Sequence, residues 1–159
     1  MNIESYIKQL EEHFNGKPWF GTSVWSSLEN IPYSFWNVKL NNISHSILEL
    51  VLHMIDWRGF VIEKLQGNEA FSIEMNSEQD WLKGVVVNTD DDKQLVMSEL
   101  MESQKQLCEL LQDKTYLWLS EEASGENYSN EYMIQGIVPH DIYHLGQINL
   151  IYKQAKVSL

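Results

Sequence analysis

Apolar side chains recur three or four residues apart through four long stretches of this chain. A period near 3.6 admits amphipathic helices and little else. In residues 2–14, Ile3, Ile7, Leu10 and Phe14 share one face. The second stretch carries Ile43, Ile47, Leu50, Met54, Trp57, Val61 and Leu65, with Asn42 or Ser44 placed to cap it and Gly67 to stop it. The third follows Thr89 and Asp92, spaced as a capping box, and carries Val96, Leu100, Leu107, Leu110, Leu111 and Leu117 to about Trp118. The last begins near Ser129 or Asn130 and runs to about Ala155. Four long amphipathic helices within 159 residues predict a single all-α domain, a helical bundle.

The connections are less regular. "GKPWFG" breaks the first helix, and a short helix after Thr22 or Ser23 covers "VWSSLENI". "PYSFWNVKLNN" and "SEEASGENYSN" read as loops. Residues 66–90 form a connection too long for a simple turn, the kind that serves function or crosses the molecule. Within it "VVV", residues 85–87, has strand character but no partner strand elsewhere in the sequence.

Charge excludes several function classes. Eleven Lys and Arg face 23 Asp and Glu, a formal net charge of −12, which repels phosphate backbones and anionic membranes. Arg58 is the only arginine, so a bidentate phosphate clamp is hard to build. The lone cysteine, Cys108, permits no disulfide within the chain and suits a reducing compartment. "MNIESYIKQLEEHF" lacks the apolar run of a signal peptide, and no stretch of about 18 apolar residues occurs. The expectation is a cytoplasmic protein acting on a small molecule, with no nucleic-acid or membrane partner.

The chemistry lies in the histidines. His140 and His144 stand four apart in "GIVPHDIYHLGQINLIYK", so their imidazoles share a helix face with Cα atoms roughly 6 Å apart along the axis. Both can reach one metal ion, as in the H-E-x-x-H zinc proteases. Here Asp141 stands where the protease has its glutamate, one methylene short, and no His, Asp, Glu or Cys follows His144. A third ligand must therefore come from upstream. His53 is the best placed, in mid-helix on the Leu50–His53–Trp57 ridge, whereas His13 lies at the polar end of its helix and His45 in a first turn near solvent. The alternative is three histidines on half-buried faces by chance, which would have to find other partners or remain neutral at some cost. Three neutral nitrogens with an open position are the donor set of a catalytic zinc, although imidazole suits Zn, Ni, Cu and Fe alike.

"SILELVLHMIDWRGFVIEKLQG" followed far downstream by "GIVPHDIYHLGQINLIYK" resembles the DinB/YfiT-like superfamily. "GKPWFGTSVWSSLENI" and the "QDW" at 79–81 add to the likeness, which then covers nearly the whole chain. The resemblance implies an antiparallel four-helix bundle. It implies a divalent metal, zinc or nickel, held by three histidines that fall on His53, His140 and His144. It also implies a homodimer, and an activity like that of relatives that are thiol S-transferases or isomerases using low-molecular-weight thiols. Pro139 departs from the pattern at a position often small or aliphatic.

Other residues have two readings each. Gln147, one turn past His144, can point into the same cavity and bind a cofactor, a metal water or substrate, or serve as a polar core residue. Asp56 reads as a solvated charge rather than a carboxylate that orients His53. Tyr143 is placed to pack between helices, Gly146 to allow close helix approach, Cys108 to fill the core and Trp57 to wall the site. Pro139 removes the partner of the Gln135 carbonyl and predicts a bend or wider turn near 135–139. The combined expectation is a metal-dependent enzyme of thiol-transfer or hydrolytic type, against a non-catalytic binding protein with a vestigial site.

Overall fold

Most helices begin at a side chain that satisfies amides the helix itself leaves unpaired. The computed structural model describes residues 2–41 and 45–158. Asn2 Oδ1 accepts the Ser5 N–H at 2.9 Å and opens α1, Ile3–Phe14. Ser23 opens the short α2, Val24–Glu29. Ser46 and Glu49 form a reciprocal capping box at the start of α3, Ile47–Leu65. That helix begins later than its apolar stripe suggested; Asn42, Ile43 and Ser44 lie outside the described residues. Thr89 and Asp92 form the expected capping box on α4, Asp90–Gln112. Ser129 Oγ accepts the Tyr132 N–H at 3.2 Å beside the start of α5, Asn130–Ser158.

Two helix ends differ from expectation. α4 stops at Gln112, and Leu117–Ser120 form a separate 3-10 turn. α5 remains helical through Pro139 and runs on to Ser158. The "VVV" segment is not a strand. Val87 is buried, and the Asn37 side chain bonds its N–H and C=O at 3.1 and 2.6 Å, as a neighbouring strand would.

The protein is all-helical, with four long helices forming the bundle. α1 packs on α4 and α5, and α3 packs on the same two. Directions follow from paired residues. Arg58 and Leu65 of α3 meet Gln104 and Lys114, so α3 and α4 run the same way. Tyr6 meets Gln135 and His13 meets Asp141, so α1 and α5 are also parallel. The α3–α5 and α1–α4 pairs run antiparallel, as the order of their residues through the core shows. The long connection from 66 to 89 is therefore a crossover: it carries the chain back along the bundle so that α4 repeats the direction of α3. Gly67, at φ 86°, provides the sharp exit from α3. Gly125, at φ 73°, lets the 121–129 loop press against the crossover, since a Cβ there would lie 2.3 Å from the Glu69 carbonyl oxygen.

The buried apolar residues form two clusters. One gathers Phe14, Leu50, Met54, Met97, Leu100 and Ile148; the other Leu10, Phe60, Leu65, Leu107, Leu111 and Ile134. A belt of polar side chains separates them, and every long helix contributes: His13, His53 with Arg58, Gln104, and His140 with Asp141 and His144. The functional question reduces to what that belt does. No helix among the described residues is long and apolar enough to cross a membrane.

Candidate metal centre

His53 projects from α3, and His140 and His144 from antiparallel α5, so two helices deliver three imidazoles to one point. The Nε2 atom of His140 lies 3.2 Å from His53 Nε2 and 3.1 Å from His144 Nε2. Together the three residues form the potential metal-binding group found among the described residues, each offering one ring nitrogen within 4.8 Å of the others. A tetrahedral ion with bonds of about 2.0–2.1 Å separates its ligand atoms by about 3.3 Å, close to these spacings.

Proton placement makes the case sharper. His53 Nδ1 is 3.0 Å from the Asp80 backbone carbonyl oxygen and 2.9 Å from Asp80 Oδ1, and both can only accept, so Nδ1 carries the proton and Nε2 presents a lone pair. His144 Nδ1 is 2.9 Å from Gln147 Oε1, which fixes the same tautomer. Two lone pairs therefore face His140 Nε2, which has one proton at most to offer between them. A cation at that point satisfies all three, and the donor set fits a divalent ion.

Burial keeps the rings ready for this. It pushes His140 down to about 4, and the charge of His144 would add to the effect while Asp141 opposes it. His144 is likewise lowered by burial, against the upward pull of Gln147. Both are neutral near pH 7, the state a ligand needs.

Asp80 is the residue that periodicity could not find. It lies in the crossover, where no helical phase marks a core position; its only signal was the "QDW" segment. It is 3% exposed, accepts from Trp57 Nε1 at 2.9 Å, and takes the Asn76 N–H on its other oxygen at 2.7 Å. The crossover thus reaches back over α3 to orient His53, as carboxylates behind metal-bound histidines do. Trp81 stacks on His53 at 4.0 Å between ring centres, and His45 stacks on the other side at 3.6 Å. Trp57 walls the site, 6.2 and 6.1 Å from the rings of His53 and His140.

The other residues singled out in the sequence are placed by their contacts and burial. Gln147 holds the His144 ring through Oε1. Asp56 is half-buried rather than solvated, with Oδ2 lacking a partner, and burial together with Asp80 and Glu99 raises its carboxyl to about 6. His13 is not in a polar helix end: it is buried and bonds Asp141 Oδ2 at 2.9 Å. Asp141, fully buried, also receives Arg58, whose other amino group donates to Gln104 at 2.6 Å. Burial alone would raise the Asp141 carboxyl, but Arg58 and His13 reverse that and hold it below the ordinary value. The lone arginine is therefore a structural cation beneath the histidines, tied up in an ion pair. Tyr143 is exposed, and a Cβ on Gly146 would meet nothing within 4 Å, so neither joins helices in this chain. Cys108 is buried, as expected, and burial raises its thiol to about 11.

Comparison with known proteins agrees with the geometry. A family model, that of the DinB family, matches residues 6–156. No curated protein and no solved structure matches the chain.

Proposed function

The chain belongs to the DinB family, and on that premise we propose that it is a metal-dependent enzyme in which His53, His140 and His144 hold one divalent ion, zinc or nickel, and act on a small molecule. The observation that carries this reading is the convergence of three Nε2 atoms, two of them locked as lone pairs by Asp80 and Gln147. An ion held by three neutral nitrogens keeps open positions, where it polarises an oxygen or sulfur ligand and lowers its pKa. Around it the chain supplies orientation through Asp80, Gln147 and the Trp81 stack, and shields one side from water with Trp57. A cavity that adjoins His140 favours catalysis over a vestigial site.

The nucleophile has to come from outside. Cys108 is buried with a raised pKa and serves poorly as a thiolate. That leaves an external thiol or water. A large acidic thiol is disfavoured, because Arg58 is buried against Asp141 and Lys64 is paired with Glu126 at 3.2 Å.

The test begins with elemental analysis of untagged protein that has never met a chelating column. We expect close to one divalent ion per chain, retained in His45→Ala and lost in His53→Ala. Cobalt-loaded protein is then titrated with a panel of small thiols. A sulfur-to-metal charge-transfer band that vanishes in His140→Ala supports thiol activation. If no thiol gives a band and no electrophile or ester is turned over, the non-catalytic reading prevails.

A further inference from the structure

Asp141 uses only one of its two carboxylate oxygens. Oδ2 accepts from His13 at 2.9 Å and carries the ion pair with Arg58. Oδ1 is buried and has no hydrogen-bond partner. The residue is fully buried, so bulk water does not reach that oxygen. Buried polar groups in folded proteins are almost always bonded, so a bare one calls for a physical reason. Arg58 and His13 hold the carboxyl below its ordinary value, so near pH 7 Oδ1 is a charged acceptor with no proton of its own.

A donor stands beside it. His140 Nδ1 lies 4.0 Å from Asp141 Oδ1, roughly 1 Å beyond hydrogen-bond reach. The His140 side chain borders a cavity and is 29% exposed, so the ring has room to turn through that distance. The ring also needs an acceptor there. A neutral imidazole carries one proton, and His140 can ligate through Nε2 only with that proton on Nδ1. On the other side, the lone pairs of His53 Nε2 at 3.2 Å and His144 Nε2 at 3.1 Å draw the same proton toward Nε2. The two sides of the ring compete for one proton, and the site forms only if the Nδ1 side wins.

We infer that Asp141 is a positioning residue for His140: in the metal-bound protein its Oδ1 accepts the Nδ1–H and holds the ring in the tautomer that presents Nε2. The inference rests on the metal reading above. It gives each imidazole an acceptor of its own, Asp80 behind His53, Gln147 behind His144 and Asp141 behind His140. A carboxylate in that place orients the ring and raises its basicity toward a metal. The polar belt then serves the site directly: His13 and Arg58 engage Oδ2 and fix the carboxylate, which leaves Oδ1 for His140.

Two double variants separate this role from the ion pair. Arg58→Leu with Asp141→Asn and Arg58→Leu with Asp141→Leu both remove the buried pair, and only the first keeps a side-chain carbonyl beside His140. We expect zinc to bind the first at least about tenfold more tightly than the second, the scale of losing an acceptor behind a metal-bound histidine, with both equally helical by circular dichroism. A purely structural Asp141 gives equal zinc affinity in the two, which overturns the inference. A second measurement needs no variant. In the zinc-loaded parent, with isotope-labelled histidine rings, NMR should show the His140 Nδ1 proton surviving exchange with solvent as the Nδ1 protons of His53 and His144 do. A His140 Nδ1 proton lost to exchange while the other two persist also overturns it. A parent protein that takes up no zinc ends the metal reading and this inference together. Zinc uptake by the parent with equal affinity in the two double variants ends this inference alone.

Discussion

Asp80 decides more than any other single side chain whether His53 is a ligand or a buried neutral ring. Its backbone carbonyl and Oδ1 both face the proton of Nδ1, and Oδ1 also ties the crossover to Trp57. Losing a carboxylate behind a metal-bound histidine typically costs 10–100-fold in metal affinity. Asp80→Ala removes the carboxylate but keeps the backbone carbonyl against Nδ1–H, so it is expected to weaken metal binding by about tenfold, the low end of that range, while circular dichroism of the metal-free protein stays helical; competition with a metal-binding dye measures it. Asp56 behaves oppositely. Its folded pKa, about 6, lies above the ordinary 3.8, so the folded protein holds this proton more tightly than the unfolded chain does. Stability is thus lost as pH rises from about 4 through 6. Asp56→Asn should match the parent at acid pH and gain roughly 1–3 kcal/mol by pH 7. Urea titrations at pH 4 and pH 7 read this directly, and a gain of equal size at both would refute the assignment.

At the scale of elements, the polar belt works as a cross-link. Asp141 on α5 receives His13 from α1 and Arg58 from α3, and Arg58 reaches on to Gln104 of α4. Four helices meet through one buried ion pair. Such a pair gains little over apolar packing, but breaking it strands a charge. Arg58→Leu should cost about 3–5 kcal/mol in unfolding free energy, and the double variant Arg58→Leu, Asp141→Leu should recover a large part of that. If the single and double variants are equally destabilised, the pair is not what matters. Because Asp141 directly follows His140, the same pair also sets how deep the ligand-bearing turn of α5 lies.

At the scale of the whole molecule, exposed aromatic surface and net charge pull association in opposite directions. Trp19 is 99% exposed and Phe20 44%, both in the aromatic-rich segment 19–36, against a net charge of −12 that drives copies apart. We propose a two-fold homodimer that covers this segment, burying at least about 1,200 Å² in total. Light scattering at micromolar protein and moderate salt should give twice the chain mass, and Trp19→Ser should shift it toward the monomer. A parent protein that scatters as a monomer under those conditions ends the proposal.

The four long helices were legible in the sequence because each must bury one face, and burial at a 3.6-residue period writes itself into the order of apolar residues. Thr89 and Asp92 were legible for a related reason: a cap acts within one turn, so its chemistry is local in sequence. The convergence of His140 and His144 was equally local. That His53 joins them was suggested by its phase, but only the packing of α3 against α5 brings the three nitrogens together. What the sequence left undecided is what depends on contacts between distant segments. Asp80, Trp81 and His45 build the far side of the site from loops and a helix end, where no period exists to mark them. His13 looked like a polar helix end until Asp141 came to lie opposite it. The parallel course of α3 and α4 is set by the crossover from 66 to 89, whose path depends on where its apolar and hydrogen-bonding groups find partners across the bundle. Local order follows from local sequence; the site's second layer and the helix directions exist only once segments far apart in the chain share one core.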